Sequence, residues 1–367
     1  MADDFTAYSI TDGGLLHRAG RALHLTRGQP SDWIRLAGAA VLITYVPVLL
    51  FGLAWRLAAG AWLPGLAHLD LHVRALVAIP LLLAAEPLVE ARARSAGRYL
   101  LQSNVIRPGL DAQRDAVART ARLRDSALVE ALLLLVAIAT ALPGATHVSG
   151  VSVFQWASLP SIALLRFLLL RWLWRWTLWG LYLFRLARRP LVLRATHPDR
   201  LAGLGPLLAP AHGFALVVAG VSAAIAGGWG DLMLHQGASA KAFSGVAITF
   251  VATAVVATVL PGSVLAPLLY RSRKDGLVSY GAFAHRYADA YEARMFGRSG
   301  EEALGAEEIS GMCDLGGSYE VLVDIRVTPW TRRLVTLAVL GALIPMLPLV
   351  LAEVGLPELL RRMAEHL

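Results

Sequence analysis

The apolar positions of this chain run unusually far before an ionised side chain interrupts them. A helix that crosses about 30 Å of hydrocarbon needs about 20 mostly apolar residues. Between Arg35 and Arg56 lies LAGAAVLITYVPVLLFGLAW, and no charge falls between Arg200 and Asp231, between Lys241 and Arg271, or between Arg333 and Glu353. These runs predict four spans. Two further runs carry charges: residues 71–90, with Arg74, Glu86 and Glu90, and residues 159–184, with Arg166, Arg171 and Arg175. Another, near residues 127–143, opens beside Glu130. The pattern predicts an all-α polytopic transmembrane bundle of about seven spans with cytoplasmic helical segments.

The polar stretches between these runs set the expected layout. Residues 1–32 form a cytoplasmic N-terminal segment, 33–90 hold the first two spans, and 91–125 read as a cytoplasmic helical hairpin turning at Pro108-Gly109. Residues 126–271 hold the third to sixth spans, 272–332 are a second cytoplasmic helical segment, 333–352 are the last span, and 353–367 are an amphipathic tail suited to lie on lipid. Within 272–332, Phe283, Tyr287, Tyr291 and Met295 recur every four residues. Ile309, Met312, Tyr319, Leu322 and Ile325 form a second stripe, interrupted by Gly316-Gly317. Apolar stripes of this kind call for a partner surface.

Composition agrees with the pattern. The chain is 56% hydrophobic and 16% charged, with a mean hydropathy of +0.57, whereas soluble domains sit near ~45–50% apolar and ~25% charged. The net charge of +8 alone would suit nucleic acid, but the arginines are spread over alternate loops beside the predicted spans and are not gathered on one face. One set of loops holds Arg18, Arg92, Arg119, Arg188, Arg273 and their neighbours; the other holds Arg56 and Lys241, with Arg361 and Arg362 in the tail. Short cytoplasmic loops collect Lys and Arg, so the amino terminus is expected inside the cell and nucleic acid is not expected as a partner. The acidic start MADDF is unlike a cleaved signal peptide, so the first span is expected to be retained. Only Lys241 and Lys274 among 34 basic residues are lysine, a bias suggesting a bacterium with a GC-rich genome and hence the inner membrane. The single cysteine, Cys313, excludes an internal disulfide framework and a cysteine metal cluster.

Charge inside lipid is the first candidate for chemistry, because each group costs ~2.5–3.5 kcal/mol on insertion scales and is met by a partner or a wet cavity. Glu86 and Glu90 share one helical face, as do Arg171 and Arg175. With Glu130 and Arg166 they form a candidate ion or substrate path between the second, third and fourth spans. The alternative is interhelical ion pairing, with tryptophans packed beside snorkelling arginines. Prolines 80, 87, 261, 267, 345 and 348 interrupt spans and free backbone groups, as at transporter sites and in purely structural bundles alike.

The second candidate is RATHPDRLAGLGPL, residues 194–207, containing His197, Asp199 and Arg200. Thr196 is placed to cap a helix with Pro198 and Asp199 in its first turn. His197, Asp199 and His212 are too sparse for a metal set, so neither a metal nor a cofactor is expected. No span contains lysine for a retinal Schiff base, and no span, bounded by charges as above, offers two histidines for haem. GxxxxGK[ST], HExxH and GxSxG are all missing.

Three stretches, SLPSIALLRFLLLRWLWRWTLWG, RATHPDRLAGLG and EISGMCDLGGSYEVLVDIRVTPWTRR, resemble a family of uncharacterised bacterial multi-spanning inner-membrane proteins, over roughly residue 126 to the end. The resemblance implies topology and brings no activity with it. The expected function is a channel or transporter for an ion or small solute along the charged path. The alternative is a membrane scaffold or sensor that docks a partner on its cytoplasmic helices. A membrane-embedded enzyme using His197 and Asp199 is the weakest reading. The expected partners are the lipid bilayer, further copies of the chain, and a cytoplasmic protein.

Overall fold

A computed structural model describes residues 14–26, 29, 31–60, 64–106, 120, 122–142, 153–297 and 306–354. Among these residues the chain is helical, without strands; Ile106 and Leu191 form one isolated antiparallel bridge. The helices are α1 (Gly14–Ala22), α2 (Asp32–Thr44), α3 (Val46–Ala59), α4 (Leu69–Val73), α5 (Ile79–Gln102), α6 (Ala127–Ala141), α7 (Val153–Ala187), α8 (Phe214–Gln236), α9 (Ser244–Ser263), α10 (Ala266–Gly297), α11 (Ala306–Val323), α12 (Arg332–Leu343) and α13 (Leu347–Val354).

Six helical runs among the described residues are long and apolar enough to cross a membrane: Asp32–Ala59, Leu69–Leu100, Trp156–Ala187, Gly205–Gln236, Ala240–Ser263 and Arg332–Glu353. Helix α6 lies along α7 and completes a bundle of about seven spans. Its 15 residues extend about 22 Å at the helical rise. The outer faces are strongly apolar: Leu128, Leu132 and Leu135 of α6, and Val246, Ile248, Val256 and Leu260 of α9, all point outward. So much continuous apolar surface is untenable in water and costs nothing in lipid. The chain is an integral membrane protein.

Prolines mark where the helices are broken. A π-helical turn, Arg74–Ala78, joins α4 to α5 in one continuous run, and Pro80 follows it directly. Pro87 is tolerated inside α5. Pro261 sits near the end of α9 and Pro267 in the first turn of α10. Pro345 lies in the 3-10 turn Ile344–Met346, and Pro348 opens α13.

Helix α8 is central, packed by α4, α5 and α12. Its contact with α12 is close because Gly341 has no side chain: a Cβ there would lie 2.5 Å from the Ala215 carbonyl oxygen. Ser222 Oγ donates to the Ala342 carbonyl at 2.5 Å across the same seam. The main core joins α5, α7 and α8 through Leu82, Leu168, Trp172, Trp179 and Phe214, and extends to Leu201, Leu204 and Leu207 of the following loop. Trp172 Nε1 donates to the Leu82 carbonyl at 3.0 Å.

Several sequence expectations need revision. Helix α5 runs unbroken to Gln102, so the first arm of the hairpin expected at 91–125 is an extension of the second span. Its Pro108-Gly109 turn lies outside the described residues, as do residues 1–13 and the tail from 355 onward. The break in the apolar stripe at Gly316-Gly317 is not a break in the helix, since α11 passes straight through both. The fifth span does not stop at Asp231, since α8 continues to Gln236 and carries His235 with it.

Candidate functional site

The intramembrane charges converge. Arg171 on α7 donates through Nη1 to Glu86 Oε1 on α5, and through Nε to Glu130 Oε1 on α6 at 3.2 Å. Arg175, one turn further along α7, places Nη1 3.5 Å from the same Glu86 oxygen. The arrangement follows from helical spacing, which stacks residues four apart on one face and lets one glutamate bridge two arginines. Arg171 and Glu130 are 2% and 3% exposed. The charges therefore neutralise one another in a closed seam between three helices.

The other two predicted path residues are employed differently. Glu90 Oε1 accepts from Arg94 Nε at 2.5 Å within α5. Arg166 points away from the cluster and donates to the Thr140 carbonyl near the end of α6. That oxygen is one of the last four carbonyls of a helix, which have no intrahelical donor and carry the negative end of its dipole. Sequence reasoning also passed over Arg74 as a site residue. It is buried, donates to Ser161 Oγ of α7 at 2.9 Å, and pairs with Asp70 one turn back. Its i,i−4 spacing from Asp70 was the available signal.

The 194–207 segment folds around Asp199, and this overturns the expected Thr196 cap. No helix starts there; the 3-10 turn Gly205–Gly213 opens nine residues later. The Asp199 carboxylate accepts the amides of Leu201 (2.8 Å), Gly203 (3.1 Å) and Gly205 (2.9 Å). A carboxylate can satisfy a run of amides that are not helical, and here that gain holds Arg200, Ala202 and Gly203 at positive φ of 56°, 53° and 90°. His197 Nδ1 lies 2.9 Å from Asp199 Oδ1, and Tyr99 OH on α5 lies 3.4 Å from His197 Nε2.

This loop joins the bundle to the α10–α11 pair. Towards the bundle, Val192 N donates to the Val105 carbonyl at 2.7 Å. Towards α10, Thr196 Oγ1 and Tyr280 OH lie 3.5 Å apart. Beyond α11, Arg326 N donates to the Arg200 carbonyl at 2.9 Å, and Arg200 Nη1 lies 3.1 Å from Asp324 Oδ2. His197, Asp199 and Arg200 thus build a joint.

Helices α10 and α11 pack as a hairpin, in which Tyr287 closes over Gly311. Part of the predicted α10 stripe is consumed in that seam. The rest is not: Phe283 and Met295 are each 48% exposed, and Phe296, outside that stripe, is 77% exposed.

At the opposite end of α8, His68, Asp231 and His235 come together, although 163 residues separate His68 from Asp231. Only Asp231 and His235, four apart at the end of an apolar run, were visible as a pair in the sequence. Comparison with protein-family models, with curated proteins and with solved structures finds no match to this chain, so its geometry carries the functional argument.

Proposed function

We propose that this protein is a membrane-anchored scaffold whose α10–α11 arm docks against the same arm of a second copy. The observation that carries this reading is the half-covered arm. Two antiparallel helices bury one seam, and an amphipathic pair leaves its outer stripe in want of a partner. Phe283 and Met295 are what the predicted stripe leaves exposed, and Phe296 adds an exposed ring on a further face of α10. Charge complements it: α10 holds Arg271, Arg273, Lys274, Arg286 and Arg294 against Asp275, Asp289 and Glu292, whereas α11 holds Glu307, Glu308, Asp314 and Glu320 and no Lys or Arg. A two-fold axis sets the basic helix of each copy over the acidic helix of the other, twice, and makes a four-helix bundle. The Asp199 joint holds each arm to its own set of spans.

Mass measurement in nanodiscs tests this. The parent is expected as a dimer, and Phe283→Glu combined with Phe296→Glu as a monomer with unchanged helix content. A monomeric parent, or a dimer indifferent to both changes, defeats the proposal.

Transport through the Glu86–Arg171 seam is the second reading, and the π-helical turn at Arg74–Ala78 with Pro80 and Pro87 on the same span favours it. Ion flux into proteoliposomes by the parent, abolished in Glu130→Gln, would establish it; equal flux in both would remove Glu130 from any path.

A further inference from the structure

We infer that His68, Asp231 and His235 form a binding site for a divalent transition-metal cation of the Zn2+ type, at the end of the bundle remote from the α10–α11 arm. One ligand atom from each residue lies within 4.8 Å of the others. His68 Nδ1 is 2.7 Å from Asp231 Oδ2, and His235 Nδ1 is 3.3 Å from Asp231 Oδ1. The two imidazole rings lie against each other, with centroids 4.9 Å and planes 35° apart. In a tetrahedral site with metal–ligand bonds of about 2.0–2.1 Å, neighbouring ligand atoms stand about 3.3 Å apart. The His235–Asp231 separation is therefore already close to the bound geometry, the His68–Asp231 pair must open by about 0.6 Å, and His235 Nδ1 must give up its contact with the Asp231 carbonyl at 3.1 Å.

The donor set selects the ion. Two neutral imidazoles with one carboxylate suit zinc and copper, whereas magnesium and calcium require oxygen. The set leaves a fourth position for water, and all three side chains are partly exposed, so the ion has a path of entry. The frame is stiff. Asp231 and His235 stand one turn apart on α8, and the Leu69 amide at the start of α4 donates to Asp231 Oδ1 at 3.0 Å, which aims the other oxygen at His68. Ligation through Nδ1 requires the neutral tautomer that carries its proton on Nε2, so entry of the ion replaces the hydrogen bond between His68 and Asp231.

His72, one turn along α4 from His68, is a useful contrast. Both its nitrogens are occupied, one by Tyr45 OH at 2.6 Å and the other by the Leu66 carbonyl at 2.8 Å. It is a structural histidine, and the site stops at three residues.

The test is calorimetric titration of the full chain in detergent with Zn2+, and with Mg2+ as the counter-probe. One equivalent of Zn2+ is expected to bind and raise the thermal midpoint, while Mg2+ does neither. His235→Ala, at a solvent-facing helix end, and Asp231→Asn, which keeps the shape of the side chain, are each expected to weaken binding by more than about tenfold. His285→Ala, on the exposed arm, leaves it unchanged. Absence of saturable Zn2+ binding by the parent overturns the inference. So does Zn2+ binding that survives both His235→Ala and Asp231→Asn, since the ion then sits elsewhere.

Discussion

Arg171 and Asp199 are both charged groups ringed by partners, but their partners come from different places. Arg171 is met by Glu86 and Glu130, carried on two other helices and 85 and 41 residues away in the chain. Asp199 is met by three amides from the next six residues of its own loop. The difference follows from the solvent. A helix in hydrocarbon has already spent its backbone N–H donors on itself, so a carboxylate there must be met by a side chain, and a cation by a carboxylate or by a helix-end carbonyl such as the one Arg166 uses. A loop at the membrane edge still has free amides, and one carboxylate can gather them. The first arrangement holds helices to one another, and the second gives a short segment its shape.

The comparison is tested hardest at Arg171. Replacement by Met leaves Glu130 buried without its guanidinium and Glu86 with Arg175 alone, and loss of one partner from a buried pair costs about 3–5 kcal/mol. The expected result is a severe fall in the thermal midpoint in detergent. Combining Arg171→Met with Glu130→Gln removes one charge of each sign, leaves Glu86 to Arg175, and is expected to recover most of the loss, because the cost lies in the unmatched charge. If the double variant is no better than the single one, the seam is held by something other than neutralisation.

Asp199→Ala comes next. It strands three amides in a loop whose residues already sit at positive φ, and unsatisfied groups cost about 1–3 kcal/mol each when they cannot reach water. Because this loop lies at the membrane edge, where water reaches part of it, the loss is expected towards the lower end of that range. It should also be local: hydrogen exchange is expected to quicken in residues 194–205 and in α10 and α11, leaving α7 and α8 protected. Uniform loss of protection would mean that the loop also holds the bundle.

The spans were legible because lipid imposes one rule over 20 residues at a time, and the uncharged runs after Arg35, Arg200, Lys241 and Arg333 each proved to be helical. The meeting of Glu86, Glu130 and Arg171 was legible for the same reason, as complementary charges in lipid have few other destinations. Arg166 was misplaced because a helix-end carbonyl, which has no sequence signature, was an equally good partner. Asp199 was misread as part of a capped helix because an Asp beside Pro and Gly suits a capped helix and a carboxylate-centred loop equally, and only the downstream positions of Gly203 and Gly205 decide between them. His68 and Asp231 belong to distant spans, and no local pattern connects them.

The smallest expected effect sharpens the contrast from the other side. Arg200 lies in the Asp199 loop and pairs with Asp324, but the two side chains are 46% and 43% exposed. An ion pair so open to solvent is worth about 0–1 kcal/mol. The stronger link from residue 200 to the segment after α11 is its carbonyl, which accepts the Arg326 amide and survives any change of side chain. Arg200→Ala should therefore cost less than about 1 kcal/mol, while leaving an alanine at positive φ. Arg200→Gly loses the same ion pair but relieves a left-handed backbone worth about 1–2 kcal/mol, offset by the greater freedom of glycine in the unfolded chain. Its net effect should lie near zero, so the glycine variant is expected to be at least as stable as the alanine one by thermal denaturation. An alanine variant as damaged as Asp199→Ala would instead make the exposed guanidinium an anchor of the arm, and the division between chain-distant pairing in lipid and local backbone capture at its edge would fail at that residue.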